Sequence, residues 1–291
     1  MKLRVHGRPA ALLLAVLALA GGLPGCRGDY ETETLRGEGI REWFFPMEGG
    51  RVEALAVWPV NAGGPVPALL LVHGDRDSAQ TFRRSMFSLA RAGVYAMSVS
   101  LPGFGESTGP EDFGGPRSVR AILLAVDYLA KQPEARAGGL AIYGEGMGAA
   151  PALAAAAQDP RIRLATAEEP IADLAESFPR LSDAQRGRLL RTAGGEPPGR
   201  PEAYKERSAR EWAARLQVPL LVIHSPRNRV TPLAQAEALV QAARRNGQPG
   251  QLRTLQRQSQ ELDPRRPSLA RWVLPFMRQH LPREIPLRRA P

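Results

Sequence analysis

The chain has 291 residues, 43% of them apolar and 23% charged, with a net charge of +10 and a single cysteine. That apolar share can bury a sizeable core and excludes a globally disordered chain, and one cysteine excludes a disulfide framework. The positive charge invites nucleic acid, but the arginines are scattered in short pairs such as Arg83-Arg84 and Arg244-Arg245. With no basic stripe among aromatics and no recognition motif, no nucleic-acid partner is expected.

Lys2, Arg4 and Arg8 precede ALLLAVLALAGGL, an apolar run too short to span a bilayer comfortably. Residues 1–25 therefore read as a signal peptide, whose removal leaves a charge of +7. It ends at Leu23-Pro24-Gly25-Cys26, which resembles a bacterial lipobox. This predicts an exported cell-envelope protein on the periplasmic or outer-membrane side, bound to membrane lipid through Cys26. A lone cysteine in an exported chain has no disulfide partner, and lipidation gives it a role. The rival reading is an ordinary cleaved signal followed by an incidental cysteine.

Residues 26–38 are polar and read as the lipidated cysteine and its tether. REWFF (41–45) and RVEALAVWPV (51–60) flank Glu48-Gly49-Gly50 and predict a hairpin. PALLLVH (67–73) is a continuous apolar run, as in a strand buried on both faces. VYAMSVS (94–100), GLAIY (139–143), RIRLATA (161–167) and VPLLVIH (218–224) continue the series, and QLRTLQ (251–256) is a weaker eighth strand. Helical patterns cover 79–92, 117–131, 147–158, 233–245 and 268–280. The alternation predicts one α/β domain over 39–281, with an eight-stranded, mostly parallel sheet and helices on both faces. Residues 171–216 read as short helices broken by GGEPPGRP (194–201), an excursion above the sheet and no large cap domain. Residues 282–291 form a basic tail.

One junction carries a motif. The strand GLAIYG runs into YGEGMGAAPALAAAAQ, a glycine corner followed by an alanine-rich helix. Dinucleotide sites also place glycines between strand and helix, but they open the first βα unit and this corner follows the fifth strand. The next strand also lacks a clear acidic counterpart before Glu168, so no cofactor is expected.

The surrounding segments resemble the α/β-hydrolase superfamily, especially its dienelactone-hydrolase-like and prolyl-oligopeptidase-like branches, over about residues 40–281. LLLVHGD (69–75) is similar to the family's strand and His-Gly turn, here His73-Gly74. SLPGFGESTGP (100–110) is similar to the segment after the fourth strand, and 201–232 to the approach to the acid-bearing seventh strand. The resemblance makes Gly144, Glu145, Gly146, Met147 and Gly148 the nucleophile elbow, and the Asp75 and Met147 backbone the oxyanion side. It puts Gly146 where the family carries serine, Asn228 at the acid position and Gln260 at the histidine position.

Acyl transfer needs a hydroxyl on a sharp turn, a histidine to take its proton and a carboxylate to orient that histidine. Gly146 has no side chain, Asn228 no charge and Gln260 no group titrating near neutral pH. No spare histidine replaces it: His6 lies in the signal, His73 in the turn and His224 at the end of the seventh strand. His280 follows Trp272 and Phe276 on the last helix. Glycine also accepts positive φ freely, relieving the strain an elbow nucleophile carries. Glu145 reads as a turn residue, and Ser225 has no base nearby. Ser107 is expected to bond its own turn, and Glu168-Glu169 to form a solvated loop pair, with a place facing the pocket as the alternative. His73, Asp75 and His224 sit on strands about 14 Å apart, too far to share one ion, so no metal is expected. The reading is a catalytically degenerate hydrolase fold binding a small molecule or a protein. The alternative is an active esterase, lactonase or peptidase using other residues.

Overall fold

A computed structural model describes residues 32–35, 37–255 and 268–282. Nine strands form one sheet: β1 (Thr32–Leu35), β2 (Glu38–Met47), β3 (Gly50–Pro59), β4 (Val66–Val72), β5 (Tyr95–Val99), β6 (Ala135–Glu145), β7 (Ile162–Glu168), β8 (Leu220–His224) and β9 (Gly250–Thr254). Their order is β1-β2-β3-β5-β4-β6-β7-β8-β9. β1, β2, β3 and β5 pair antiparallel in sequence, and β5, β4, β6, β7, β8 and β9 pair parallel. The eight expected strands are present. The ninth, β1, lies within the segment read as a tether and pairs at the sheet edge with β2. Its TETL lacks the apolar alternation by which the other strands announce themselves.

The helices flank the sheet as two layers. α1 (Arg83–Arg91) and α9 (Leu274–His280) cover one face, α2 (Pro116–Leu129), α3 (Ala149–Gln158) and α8 (Leu233–Arg245) the other. The continuous apolar run of β4 follows from this. Ala68, Leu70 and Val72 enter the α2–α3–α8 core, while Leu69 and Leu71 enter the α1–α9 core. Period-two alternation on a strand covered on both sides leaves no polar position. Each buried leucine contributes roughly 1.5–3 kcal/mol over an exposed one.

Four short helices occupy the strandless stretch: α4 (Leu174–Ser177), α5 (Asp183–Ala193), α6 (Pro201–Lys205) and α7 (Ala209–Ala213). α5 begins with a capping box between Ser182 and Gln185 and ends at Gly194, φ 76°. Ahead of α9, residues Leu269–Val273 form a π-type turn, and Pro275 then occupies its first turn, where the missing N–H is tolerated.

Candidate active site

The floor of the site is the corner between β6 and α3. A single turn, Gly146–Gly148, joins them, and Gly146 takes φ 52°. Gly144 and Gly148 have a separate reason to be glycine. A Cβ on Gly148 would lie 2.2 Å from the His73 carbonyl oxygen, and one on Gly144 2.6 Å from the Gly148 oxygen. Only bare backbone lets the helix start this close to two strands. Glu145 is 1% exposed and lies behind the elbow beside Gly74, whose Cβ would sit 3.8 Å from the Glu145 Cγ.

Above the elbow opens a cavity of about 520 Å³, a size usual for small-molecule sites (roughly 300–1,000 Å³). Gly146 and Met147 line it from the elbow, and Asp75 and Arg76 from the turn after β4. Phe113 enters from the loop before α2, Glu169 and Ile171 from the end of β7, and Asn228 to Thr231 from the loop after β8. The short-helix excursion supplies Leu181, Ser182 and Gln185. The sheet's carboxyl end thus meets at one place, the usual site in open α/β sheets. Gly146, Met147, Asp75 and Asn228 are brought together there; Gln260 and Cys26 lie outside the described residues.

His73 is structural. Its Nε2 accepts from the Leu101 N–H at 2.9 Å, so Nδ1 carries the proton and donates to the Gly74 carbonyl at 2.7 Å. The Asp75 side chain bridges to α5, accepting from Gln185 Nε2 at 3.0 Å and from the Arg188 guanidinium. These bonds strap the excursion across the His-Gly turn.

Two expectations are corrected here. Glu168 and Glu169 are not solvated: they are 1% and 2% exposed. Glu168 accepts from the Tyr143 hydroxyl at 2.7 Å. Glu169, at φ 48°, accepts from the Ser225 N–H at 3.1 Å and from the Asn228 amide at 2.7 Å. Asn228 Oδ1 in turn accepts from the N–H groups of Val230 and Thr231. The second correction is Ser107, whose N–H closes its turn by donating to the Phe104 carbonyl but whose side chain bonds outside that turn. Its hydroxyl accepts from the Glu53 N–H and donates to the Ser100 carbonyl, tying the loop to β3 and β5. Ser225 is fully buried, and its Oγ accepts from the Arg227 N–H.

His224 packs against Glu169, with Nδ1 3.2 Å from Oε2. Its Nε2–H donates to the Thr231 carbonyl at 2.8 Å, and Nδ1 makes no hydrogen bond among the described residues. Burial holds the imidazole below its ordinary range, with the Thr231 carbonyl acting against this. The Glu169 carboxylate is already engaged by two other donors, so burial prevails. His280, 4.5 Å from Phe276, is depressed by burial too. A neutral folded imidazole and a protonating unfolded one give the sign: stability is full above about pH 6.5 and falls as pH drops below it. Urea unfolding at pH 7.5 and pH 5.5 should show this decline, and His224→Gln should flatten it. An undiminished slope in that variant would refute the assignment.

Among the described residues, no group of three or more His, Cys, Asp or Glu could hold a metal ion. No described helix is long and apolar enough to cross a membrane.

A sequence model described as the alpha/beta hydrolase family matches residues 69–287. The chain belongs to the alpha/beta hydrolase family. The order of β2 to β9 is thus that of an alpha/beta hydrolase. The chain is 32% identical over 74 residues to an epoxide hydrolase of Caballeronia sordidicola, 25% of this chain and 21% of that one. Its fold is similar to Pyrococcus horikoshii acylaminoacyl peptidase, with a TM-score of 0.68 and 20% identity over 85% of this chain and 42% of that one. It is also similar to an acetyl xylan esterase from Paenibacillus sp. R4, with a TM-score of 0.67 and 17% identity over 87% and 88% of the two chains. This alpha/beta hydrolase therefore spans under half the length of the peptidase, and its match to the epoxide hydrolase covers about a fifth of that protein.

The Asp75–Arg188 strap is a site feature missed in sequence, and Glu169 in the cavity wall was only the less favoured reading of the Glu168-Glu169 pair. The one available signal was position: Glu169 directly follows an apolar strand, where family sites assemble.

Proposed function

We propose that this chain is a non-catalytic alpha/beta hydrolase that keeps the cavity to bind a small molecule or a protein segment. The observation that carries the reading is where backbone strain sits. Arg76 (φ 61°), Phe113 (φ 52°) and Glu169 (φ 48°) are the non-glycine positive-φ residues among those described, and all three line the cavity. Each such conformation costs on the order of 1–3 kcal/mol and persists only where its surroundings enforce it. The elbow position itself is relieved of that strain, because glycine takes φ 52° without steric cost. Strain held around the cavity and released at the reacting position fits a binding site without its reaction. Gly146 brings no nucleophile, and Asn228 brings an uncharged amide, one of whose two N–H donors goes to Glu169.

The active-hydrolase reading has two observations in its favour, the Glu169 carboxylate in the cavity wall and an epoxide hydrolase among the relatives. Glu169 is a poor nucleophile, however, since each oxygen accepts an N–H donor. Hydrolysis of short and medium acyl esters, alongside labelling with a serine-reactive fluorophosphonate, tests the choice. We expect no label, and no turnover beyond the roughly 10³–10⁴-fold over water that a serine hydrolase lacking its triad can retain. Labelling with robust turnover would overturn the reading.

Export and lipid attachment at Cys26 belong to the same proposal, supported by the basic, apolar and LPGC segments in series. Incorporation of an alkyne-tagged fatty acid, abolished in Cys26→Ser, is the expected result; equal labelling of both would sink it.

A further inference from the structure

We infer that the cavity takes an amphipathic organic anion, its charged head held by Arg76 and Arg229 and its apolar body lying against Phe113, Met147 and Leu181. This rests on the binding reading above and adds the chemical class of the ligand.

The charge balance of the wall points there. Two carboxylates line the cavity, and the protein's own donors engage both. Asp75 is held by Arg188 and Gln185; Glu169 is held by the Ser225 N–H and the Asn228 amide, with His224 beside it. Two of the three lining arginines are not matched in this way. Arg76, Arg227 and Arg229 all line the cavity and are all exposed, which places them at its mouth. Arg76 and Arg229 enter no ion pair among the described residues. An enclosed mouth with uncompensated cations concentrates anions more strongly than a flat surface of the same charge.

One further feature favours a charged head at this end. Arg76 sits at φ 61°, so the enforced turn after β4 fixes where its side chain leaves the backbone. Arginine is suited to the task, since its planar fork matches a carboxylate or a phosphate with paired donors. The other end of the cavity differs in kind. Phe113, Met147 and Leu181 are 2%, 5% and 3% exposed and offer only apolar surface.

The test is calorimetric titration of the full chain with octanoate, octyl phosphate and the neutral isostere octanamide. At least one anion should bind ten times or more tightly than octanamide, and more weakly as salt rises. Arg76→Gln and Arg229→Gln should each weaken that anion about tenfold, about 1.4 kcal/mol, with Arg84→Gln on the outer face of α1 unchanged. The preferred head group then decides between carboxylate and phosphate. Equal affinity for anion and amide, or affinity untouched by both arginine substitutions, overturns the inference while leaving a binding cavity in place. Failure of both anions to bind at millimolar concentration overturns it as well. Failure of the underlying non-catalytic reading appears separately, as ester turnover and fluorophosphonate labelling of the wild type.

Discussion

Gly148→Ala should destabilise the protein by about 3 kcal/mol or more, at the upper end of what overpacking a core costs. The new methyl would sit 2.2 Å from the His73 carbonyl oxygen and 2.9 Å from Val72 Cγ1. Neither neighbour can yield cheaply. β4 is hydrogen-bonded on both sides, to β5 and to β6, so moving its end disturbs the centre of the sheet. The backbone at Gly148 is itself ordinary, φ −74° and ψ −10°, so the whole effect is steric. Gly187→Ala provides the contrast. That glycine lies inside α5, and its Cβ would meet only Arg191 Nη1, at 3.6 Å. Alanine there should stabilise by roughly 0.5–1 kcal/mol through helix propensity. Urea unfolding of the two variants checks both signs; a Gly148→Ala protein as stable as wild type would mean α3 does not start against β4 as described.

The second large effect is expected from Asn228→Asp. The substitution puts a carboxylate oxygen where an amide nitrogen now donates, 2.7 Å from Glu169 Oε2. Two charges at that distance repel by several kcal/mol at an effective dielectric of about 20. Because Asn228 is only partly buried, we expect a net loss of roughly 2–4 kcal/mol at neutral pH, less than the unscreened figure. The pH dependence has a definite sign. Repulsion raises the folded-state carboxyl pKa above its unfolded value, so the loss is full at neutral pH and shrinks as pH falls and one carboxyl is protonated. Adding Glu169→Gln should restore most of the stability, and a double-mutant cycle measures the coupling. Additive effects would show that the two side chains do not meet.

This pair bears on any attempt to rebuild a triad. Gly146→Ser, Asn228→Asp and Gln260→His would install the three groups that acyl transfer needs, yet the new aspartate would face Glu169 and not a histidine alone. A fourth change, Glu169→Gln, removes that conflict. An inactive triple variant would therefore say little about the cavity, and a fluorophosphonate-labelled quadruple variant would show that it still admits an acyl-like ligand.

Much of the fold was legible in the chain. PALLLV reads as a strand covered on both faces, since every position is apolar and the run is short for a buried helix. The corner between β6 and α3 was legible because its glycines answer local demands: a positive φ at Gly146, and close approach of backbone at Gly144 and Gly148. β1 was not, because an edge strand of four residues needs pairing partners more than an apolar pattern.

The sequence by itself determined the strand and helix series, the corner and the identity of residues 146 and 228. These rest on periodicity and local backbone geometry, which act over a few residues. Only the tertiary structure decided the electrostatics of the cavity. Glu168 and Glu169 read as a solvated pair until Tyr143, 25 residues away, and Asn228, 59 residues away, supply the donors that let them be buried. Asp75 finds its partners on α5, 110 and 113 residues along the chain. A charge is buried only where its compensation is already in place, and that compensation comes from chain distances no local pattern spans.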